Sequence, residues 1–230
     1  MSHRWKSIVT YLGVVLLMAL AGCGQSGDGN QSPTTAVSAS GDASPTAGEA
    51  NKPPPQKSPS DLLHPVVVID TTRGNVTVRL DAEKANLTVS NFLSYVDAAH
   101  YDQTIVHQVY KGQVFLAGGY GANLAEKPTH TPVFNEAHNG LKNGRGTIAM
   151  ARLPDSIHSA TCQFFINLAD NPALDYKDRT VEGYGYCVFG EVIEGMDVVD
   201  RIGDTPVRDT PAFDRTPLQA IIVKSIRRVR

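Results

Sequence analysis

Few side chains in this sequence are suited to covalent or proton-transfer chemistry. Seven histidines and three cysteines are present. They form no Cys-x-x-Cys pair and no Cys/His spacing of the zinc type, so no metal site is expected. Cys162 and Cys187 leave two readings open: a disulfide in an oxidising compartment, or two buried free thiols. His107 stands in the apolar run Val106-His107-Gln108-Val109-Tyr110. A histidine there supports a strand and loop by hydrogen bonding more readily than it transfers protons. Gln163-Phe164-Phe165 carries a different signal. Side chains alternate across a strand, so one phenylalanine enters a core while the other faces out. Gln163 shares the face of Phe165, and Cys162 and Cys187 have the parity opposite to Gln163 and Tyr186. An amide and an aromatic ring on one face can hydrogen-bond a backbone and hold an apolar group, which is binding chemistry.

The elements that position these residues begin well into the chain of 230 residues. Arg4 and Lys6 precede an apolar run from Ile8 to Leu20, too short for a comfortable membrane span. It reads as a secretory signal over residues 1–22. Its end, Leu20-Ala21-Gly22-Cys23, resembles the bacterial lipobox, in which the cysteine thiol receives a diacylglycerol and the new amine is acylated. Two signals suit the physics, because each buried CH₂ contributes only ~0.8 kcal/mol to anchoring. Residues 23–61 are rich in Ser, Pro, Thr, Gly and Ala, too poor in large apolar side chains to offset chain entropy. They are expected to form a disordered spacer with a stiff patch at Pro53-Pro54-Pro55. Residues 62–230 have the length of one folded domain. A formal net charge of −2 without a basic stripe argues against nucleic acid as a partner.

Within that domain, Pro65 to Ile69 and Val76 to Leu80 read as a hairpin around Thr72-Arg73-Gly74-Asn75. Val89, Phe92, Leu93, Val96 and Ala99 recur at helical spacing, with Asn86 or Thr88 as the cap. Thr104 to Tyr110 and Gln113 to Ala117 read as strands linked at Lys111-Gly112, with Gly118 to Gly121 as a loop. Further strands are expected at Gly146 to Ala151, Cys162 to Leu168, Tyr186 to Val192 and Ala220 to Ile226. Glu194 to Ile202 fits a short helix. Many short strands with two helices predict a closed β-barrel or sandwich, the first and last strands pairing to remove edges.

Several blocks together resemble the cyclophilin family, near its bacterial exported branch. They are Ile69 to Leu80, Val89 to Phe92, Asn135 to Leu141, Arg145-Gly-Thr-Ile-Ala-Met-Ala-Arg152, Ser159 to Asn167, Asn171 to Asp175 and Cys187 to Val192, in family order. The resemblance implies a closed eight-stranded antiparallel β-barrel capped by two helices. It also implies a peptide groove on the outer wall and cis–trans isomerisation of X-Pro bonds without a cofactor. It places the chemistry on His107, Gln108, Gln163 and Phe165, with Phe165 outward. Substrate contacts fall on Gln113, Val114, Leu116, Ala151, Arg152, Ala173, Leu174 and Tyr186. Cys162 and Cys187 are then expected inside the barrel, and Gly183 and Gly185 as loop hinges. The partners implied are proline-containing segments of exported proteins and, through Cys23, a membrane. The domain is expected to be monomeric, on the exported side of a bacterial cell envelope.

An amide resists rotation by ~18–20 kcal/mol because of resonance. A catalyst must favour the twisted state, where the proline nitrogen regains its lone pair, and a donor aimed at that nitrogen does so. The family uses an arginine directly after the histidine, where this chain has Gln108. A neutral amide is the weaker donor, since charge-assisted bonds are roughly twice as strong. Gln113, Val114 and Leu116 replace the usual Phe, Met and Gln, and Ala173 stands where a large aromatic is common. Three functions therefore compete: a slow isomerase, a proline-peptide-binding module with little turnover, and a barrel used only for protein contacts.

Overall fold

The structure, a computed structural model, describes residues 62–229. The expected signal, the Cys23 anchor and the spacer lie outside the described residues. Strand β1 (Val66–Thr71) turns into β2 (Gly74–Leu80), followed by helix α1 (Asn86–Asp97), β3 (Thr104–Tyr110), β4 (Val114–Gly121), β5 (Thr147–Met150) and β6 (Phe164–Asn167). Then come β7 (Val188–Glu194), helix α2 (Met196–Gly203), a two-residue ribbon of β8 (Val207–Arg208) and β9 (Thr216–Pro217), and β10 (Ile222–Arg228). Eight strands close into a barrel in the order β1-β10-β3-β4-β6-β5-β7-β2, and every pairing is antiparallel. The first and last strands do pair, Ile69 lying opposite Ile226, so the sheet has no free edge.

Alternation does the sorting. Val67 and Ile69 of β1 face Val78 and Val76 of β2, and all four are buried in the main core. Gly74 adopts φ +127, and a Cβ there would meet Val198 Cγ2 at 2.9 Å, so glycine lets α2 pack on the hairpin. The apolar stripe of α1, Val89, Phe92, Leu93 and Val96, is buried. Phe92 meets Phe164 edge-on at 5.8 Å and lies 5.1 Å from the Phe189 ring. Between Val106, Phe115, Phe164, Ile202 and Val223 the interior keeps a void of only about 10 Å³. That is barely one water, so this part of the barrel interior has no room for a peptide.

Two expectations need correction. Neither Asn86 nor Thr88 caps α1; Ala85 holds the cap position with no side-chain hydrogen bond. The carboxylate of Glu136, 48 residues along the chain, accepts from the Leu87 N–H (3.2 Å), the Thr88 N–H (2.8 Å) and the Thr88 hydroxyl (2.7 Å). An anion from a distant loop thus satisfies the helix N-terminus. Gly118 to Gly121 is not a loop but the end of β4. Gly118 has φ +96, and a Cβ there would meet Cys162 O and Tyr101 Cε1 at 2.9 Å, so this glycine serves a left-handed backbone and close packing within the strand.

Candidate functional site

On the outer wall the strand registers line up one row of side chains. Gln108 of β3 lies opposite Leu116 of β4, Leu116 opposite Phe165 of β6, Phe165 opposite Ala149 of β5, and Ala149 opposite Val188 of β7. Leu116, Phe165, Ala149 and Val188 join Val114, Ala151, Leu174 and Tyr186 in an apolar cluster of their own. Phe164 packs in the main core with Cys162 and Cys187, as parity required. Both thiols are free and buried. Burial pushes the Cys162 thiol up to about 11 and Cys187 to about 12, so neither is a nucleophile at neutral pH.

Phe165 is the centre of the cluster. The Tyr186 ring stands edge-on to it at 5.6 Å and 78°. The Leu174 carbonyl accepts from the Tyr186 N–H at 2.9 Å, which ties the 3-10 turn Pro172–Leu174 to the wall. Ala173, just before Leu174, is half-buried. The Gln163 carbonyl accepts from the Ala151 N–H at 2.9 Å. Its half-buried side chain lies over Gly119, where a Cβ would be 2.6 Å from Gln163 Cγ. The Tyr120 hydroxyl is pushed up to about 12 by burial and by Glu126, against a smaller lowering from Gln163.

Gln108 is buried, and its amide Nε2 donates to the Tyr110 hydroxyl at 3.0 Å. Tyr110, two residues along the same face, is packed against the Phe165 cluster. Gln113 crosses a corner: its carbonyl accepts from Leu168 N (2.8 Å) and Asn171 Nδ2 (3.0 Å). Its side-chain Oε1 is buried without a hydrogen-bond partner.

His107 points away from this wall. Its ring lies 5.0 Å from Tyr120 and 5.2 Å from Phe213, and its Nδ1 has no hydrogen-bond partner. Burial pushes the imidazole down to about 3, against a smaller upward pull from the Ile105 backbone. It is a neutral aromatic filler, and its packing is more aromatic than the hydrogen-bonded support read from sequence.

Arg152 is buried and fully engaged. Nε donates to Gly185 O (3.0 Å), one terminal nitrogen to Leu153 O (2.9 Å) and Pro154 O (3.2 Å), the other to Val181 O (2.7 Å). Its guanidinium carbon sits 5.1 Å from the centroid of the Tyr186 ring. The side chain therefore fastens residues 181–186 to 153–154 and supports Tyr186. Gly185, at φ +70 and with room for no Cβ, which would lie 2.6 Å from Leu174 O, is the tight bend in that segment. Among the described residues no cluster of three His, Cys, Asp or Glu side chains could hold a metal ion.

The family model for cyclophilin type peptidyl-prolyl cis-trans isomerase/CLD matches residues 66–228. The chain belongs to the cyclophilin family. It is 42% identical over 161 residues to peptidyl-prolyl cis-trans isomerase B of Escherichia coli, covering 70% of this chain and 98% of that protein. It is also 42% identical over 159 residues to a peptidyl-prolyl cis-trans isomerase of Streptomyces antibioticus, covering 69% and 95%. A Cryptosporidium parvum cyclophilin type peptidyl-prolyl cis-trans isomerase has the same fold at TM-score 0.60 and 22% identity, covering 73% of this chain and 98% of that one. The same protein in the presence of the dipeptide Ala-Pro matches at TM-score 0.60 and 23% identity, covering 72% and 99%. The cyclophilin barrel expected from the sequence blocks is therefore the fold observed.

Sequence reasoning missed three parts of this wall. Ala149 and Val188 complete the row, and their parity with Ala151 and Tyr186, two residues away along the chain, was the available signal. Tyr110 takes the Gln108 amide, and its place at the second residue along the same strand face was the clue.

Proposed function

We propose that this cyclophilin domain isomerises X-Pro bonds of exported proteins, slowly, with the proline ring seated on Phe165. The observation that carries the reading is the row Gln108, Leu116, Phe165, Ala149, Val188 with the Tyr186 ring edge-on to Phe165. An apolar seat is flanked on one side by an amide donor, Gln108, and on another by Gln163. The seat takes the prolyl ring, Gln163 hydrogen-bonds the substrate backbone, and Gln108 donates to the nitrogen as the bond twists. That donation stabilises the twisted state more than either planar one. Leu174, Ala151 and Val114 supply the remaining apolar wall. Arg152 acts by positioning Tyr186, and His107 moves no proton. No cofactor takes part.

A second reading has its own observation. The Gln108 amide already donates to Tyr110, so the twisted nitrogen must compete for it. On this reading the domain is a chaperone or scaffold that grips prolyl segments with little turnover. The two share their setting: a monomeric domain held by Cys23 on the exported side of a bacterial envelope membrane. A proline-isomerisation assay with titration of a prolyl peptide separates them. Turnover that disappears in Phe165→Ala supports the isomerase. Binding without turnover supports the scaffold, and no affinity for any prolyl peptide removes both.

A further inference from the structure

A side-chain amide is seldom buried, because its donor and its acceptor must then both find partners. Three asparagines nevertheless gather at one end of the Phe165 wall: Asn167 is 0% exposed, Asn143 2% and Asn171 3%. Asn167 closes β6 two residues beyond Phe165, on the same face, and lies opposite Val114 of β4. Asn171 stands at the start of the 3-10 turn that ends at Leu174. Asn143 lies in the segment before β5.

Their bonds run head to tail. Asn171 Nδ2 donates to Asn167 Oδ1 (2.7 Å), and Asn167 Nδ2 donates to Asn143 Oδ1 (3.3 Å). Asn143 Nδ2 then donates to Leu174 O (3.0 Å) and to Tyr186 O (3.4 Å). At the other end, Asn171 Nδ2 also donates to Gln113 O (3.0 Å). Backbone carbonyls only accept, so both end amides can face one way only, and Asn167 between them must follow. Asp175 enforces the same orientation, its Oδ1 accepting from Asn143 N (2.7 Å) and Asn143 Nδ2 (3.2 Å). Thr147 Oγ1 is a side branch, accepting from Asn167 Nδ2 at 2.9 Å.

The carbonyls at the two ends belong to the wall or adjoin it. Leu174 and Tyr186 are members of the Phe165 cluster, and Gln113 precedes Val114, which is another. Apolar contact is not directional and lets such segments slide past one another. Directional bonds away from water fix them, and each link orients the next. We propose that Asn143, Asn167 and Asn171 form an amide relay that positions Leu174 and Tyr186 around the proline seat. This rests on the isomerase reading of the Phe165 wall. Asn143 is the positioning residue, and Asn167 and Asn171 set its orientation. The donor to the twisted nitrogen, Gln108, lies beyond Leu116 on the other side of Phe165. The relay therefore governs how the ring is seated, and loosening it raises KM while kcat stays nearly constant.

The test is Asn167→Asp in the full chain. The carboxylate keeps the shape and still accepts from Asn171, but it cannot donate to Asn143 and it repels that residue's Oδ1. Asn167 donates to neither Leu174 nor Tyr186, so an effect on both travels through Asn143. KM for a prolyl peptide should rise roughly fivefold, with kcat within about twofold. The NMR signals of the Leu174 methyls and the Tyr186 amide should shift. Thr147→Val removes only the side branch and should leave KM and these signals in place. Asn167→Ser removes the same donor without adding charge and takes the place of Asn167→Asp if that variant does not fold. Unmoved Leu174 and Tyr186 signals, an unchanged KM, a fall in kcat at constant KM, or the same changes in Thr147→Val would overturn the relay. If the unaltered chain binds no prolyl peptide, the isomerase reading fails on its own. The NMR comparison, which needs no peptide, then still decides whether the relay holds Leu174 and Tyr186.

Discussion

At the scale of single residues, Gln108 bears on the rate and His107 on the pH dependence of stability. Gln108 offers a neutral donor that Tyr110 already occupies. A guanidinium at this position would add charge assistance, and each gain of about 1.4 kcal/mol in the twisted state is tenfold in rate. Gln108→Arg is expected to raise kcat/KM roughly 10- to 100-fold in the proline-isomerisation assay. An unchanged value would shift the limit to the altered wall at Gln113 and Val114. His107 makes the opposite argument. Its imidazole is pushed down to about 3 from an ordinary 6.5 by burial. Between those values the unfolded chain binds a proton that the folded chain does not. Stability from this group is therefore complete above pH 6.5 and is lost as pH falls toward 3. His107→Phe should flatten the denaturation midpoint across that acid window, at a packing cost of about 1–1.5 kcal/mol. Turnover at neutral pH should stay within about twofold. Loss of turnover with the fold intact would restore a chemical role to the ring.

At the scale of elements, the wall is held from behind by a clasp. Arg152 gives four hydrogen bonds to the carbonyls of Leu153, Pro154, Val181 and Gly185, and no carboxylate is among these partners. Hydrogen bonds to charged groups contribute about 1.5–3 kcal/mol each, and the loss of one side chain serving several carbonyls is not additive. Arg152→Lys should cost about 2–4 kcal/mol in denaturant unfolding, because one ammonium cannot reach all these acceptors. It should also raise KM several-fold with kcat nearly constant, since Tyr186 loses its support while the donor side is untouched. A fall in kcat at constant KM would instead place Arg152 on the substrate. The clasp also marks where sequence stops being legible. Period-two alternation put Phe164 and Phe165 on opposite faces, the family resemblance said which one faces out, and the hairpin, both helices and the strands that build the wall were readable to within a few residues. The Arg152 bonds were not, because they join loops separated by about 30 residues that carry no periodic signal. The Glu136 cap on α1 was hidden for the same reason, while nearby Asn86 and Thr88 offered a local alternative that lost. Gly118 misled because a glycine kept for a positive φ and close packing inside a strand reads like one kept for a turn.

At the scale of the whole molecule, the barrel and the membrane are separate problems. The closed sheet has paired every barrel strand on both sides, so it needs no lipid to complete it. Among the described residues no helix is long and apolar enough to cross a membrane. The proposed anchor is Cys23, which follows Leu20-Ala21-Gly22. A single acyl chain gives only marginal, reversible binding, whereas a diacylglycerol on the thiol plus an acylated amine is stable. The mature chain is therefore expected to begin at Cys23 and to carry an acyl adduct on its N-terminal peptide by mass spectrometry. It should fractionate with membranes in salt, because acyl insertion, unlike a charge contact, is not screened. In Cys23→Ser the adduct should vanish and the N-terminal peptide should change its start site. Membrane retention of a chain that still begins at residue 23 without an adduct would mean that something other than lipid holds it. The spacer of residues 23–61 would then be the segment to dissect. If the adduct is present, shortening the segment between Gly24 and Ala50 should alter access of large membrane-held clients without altering turnover of small peptides.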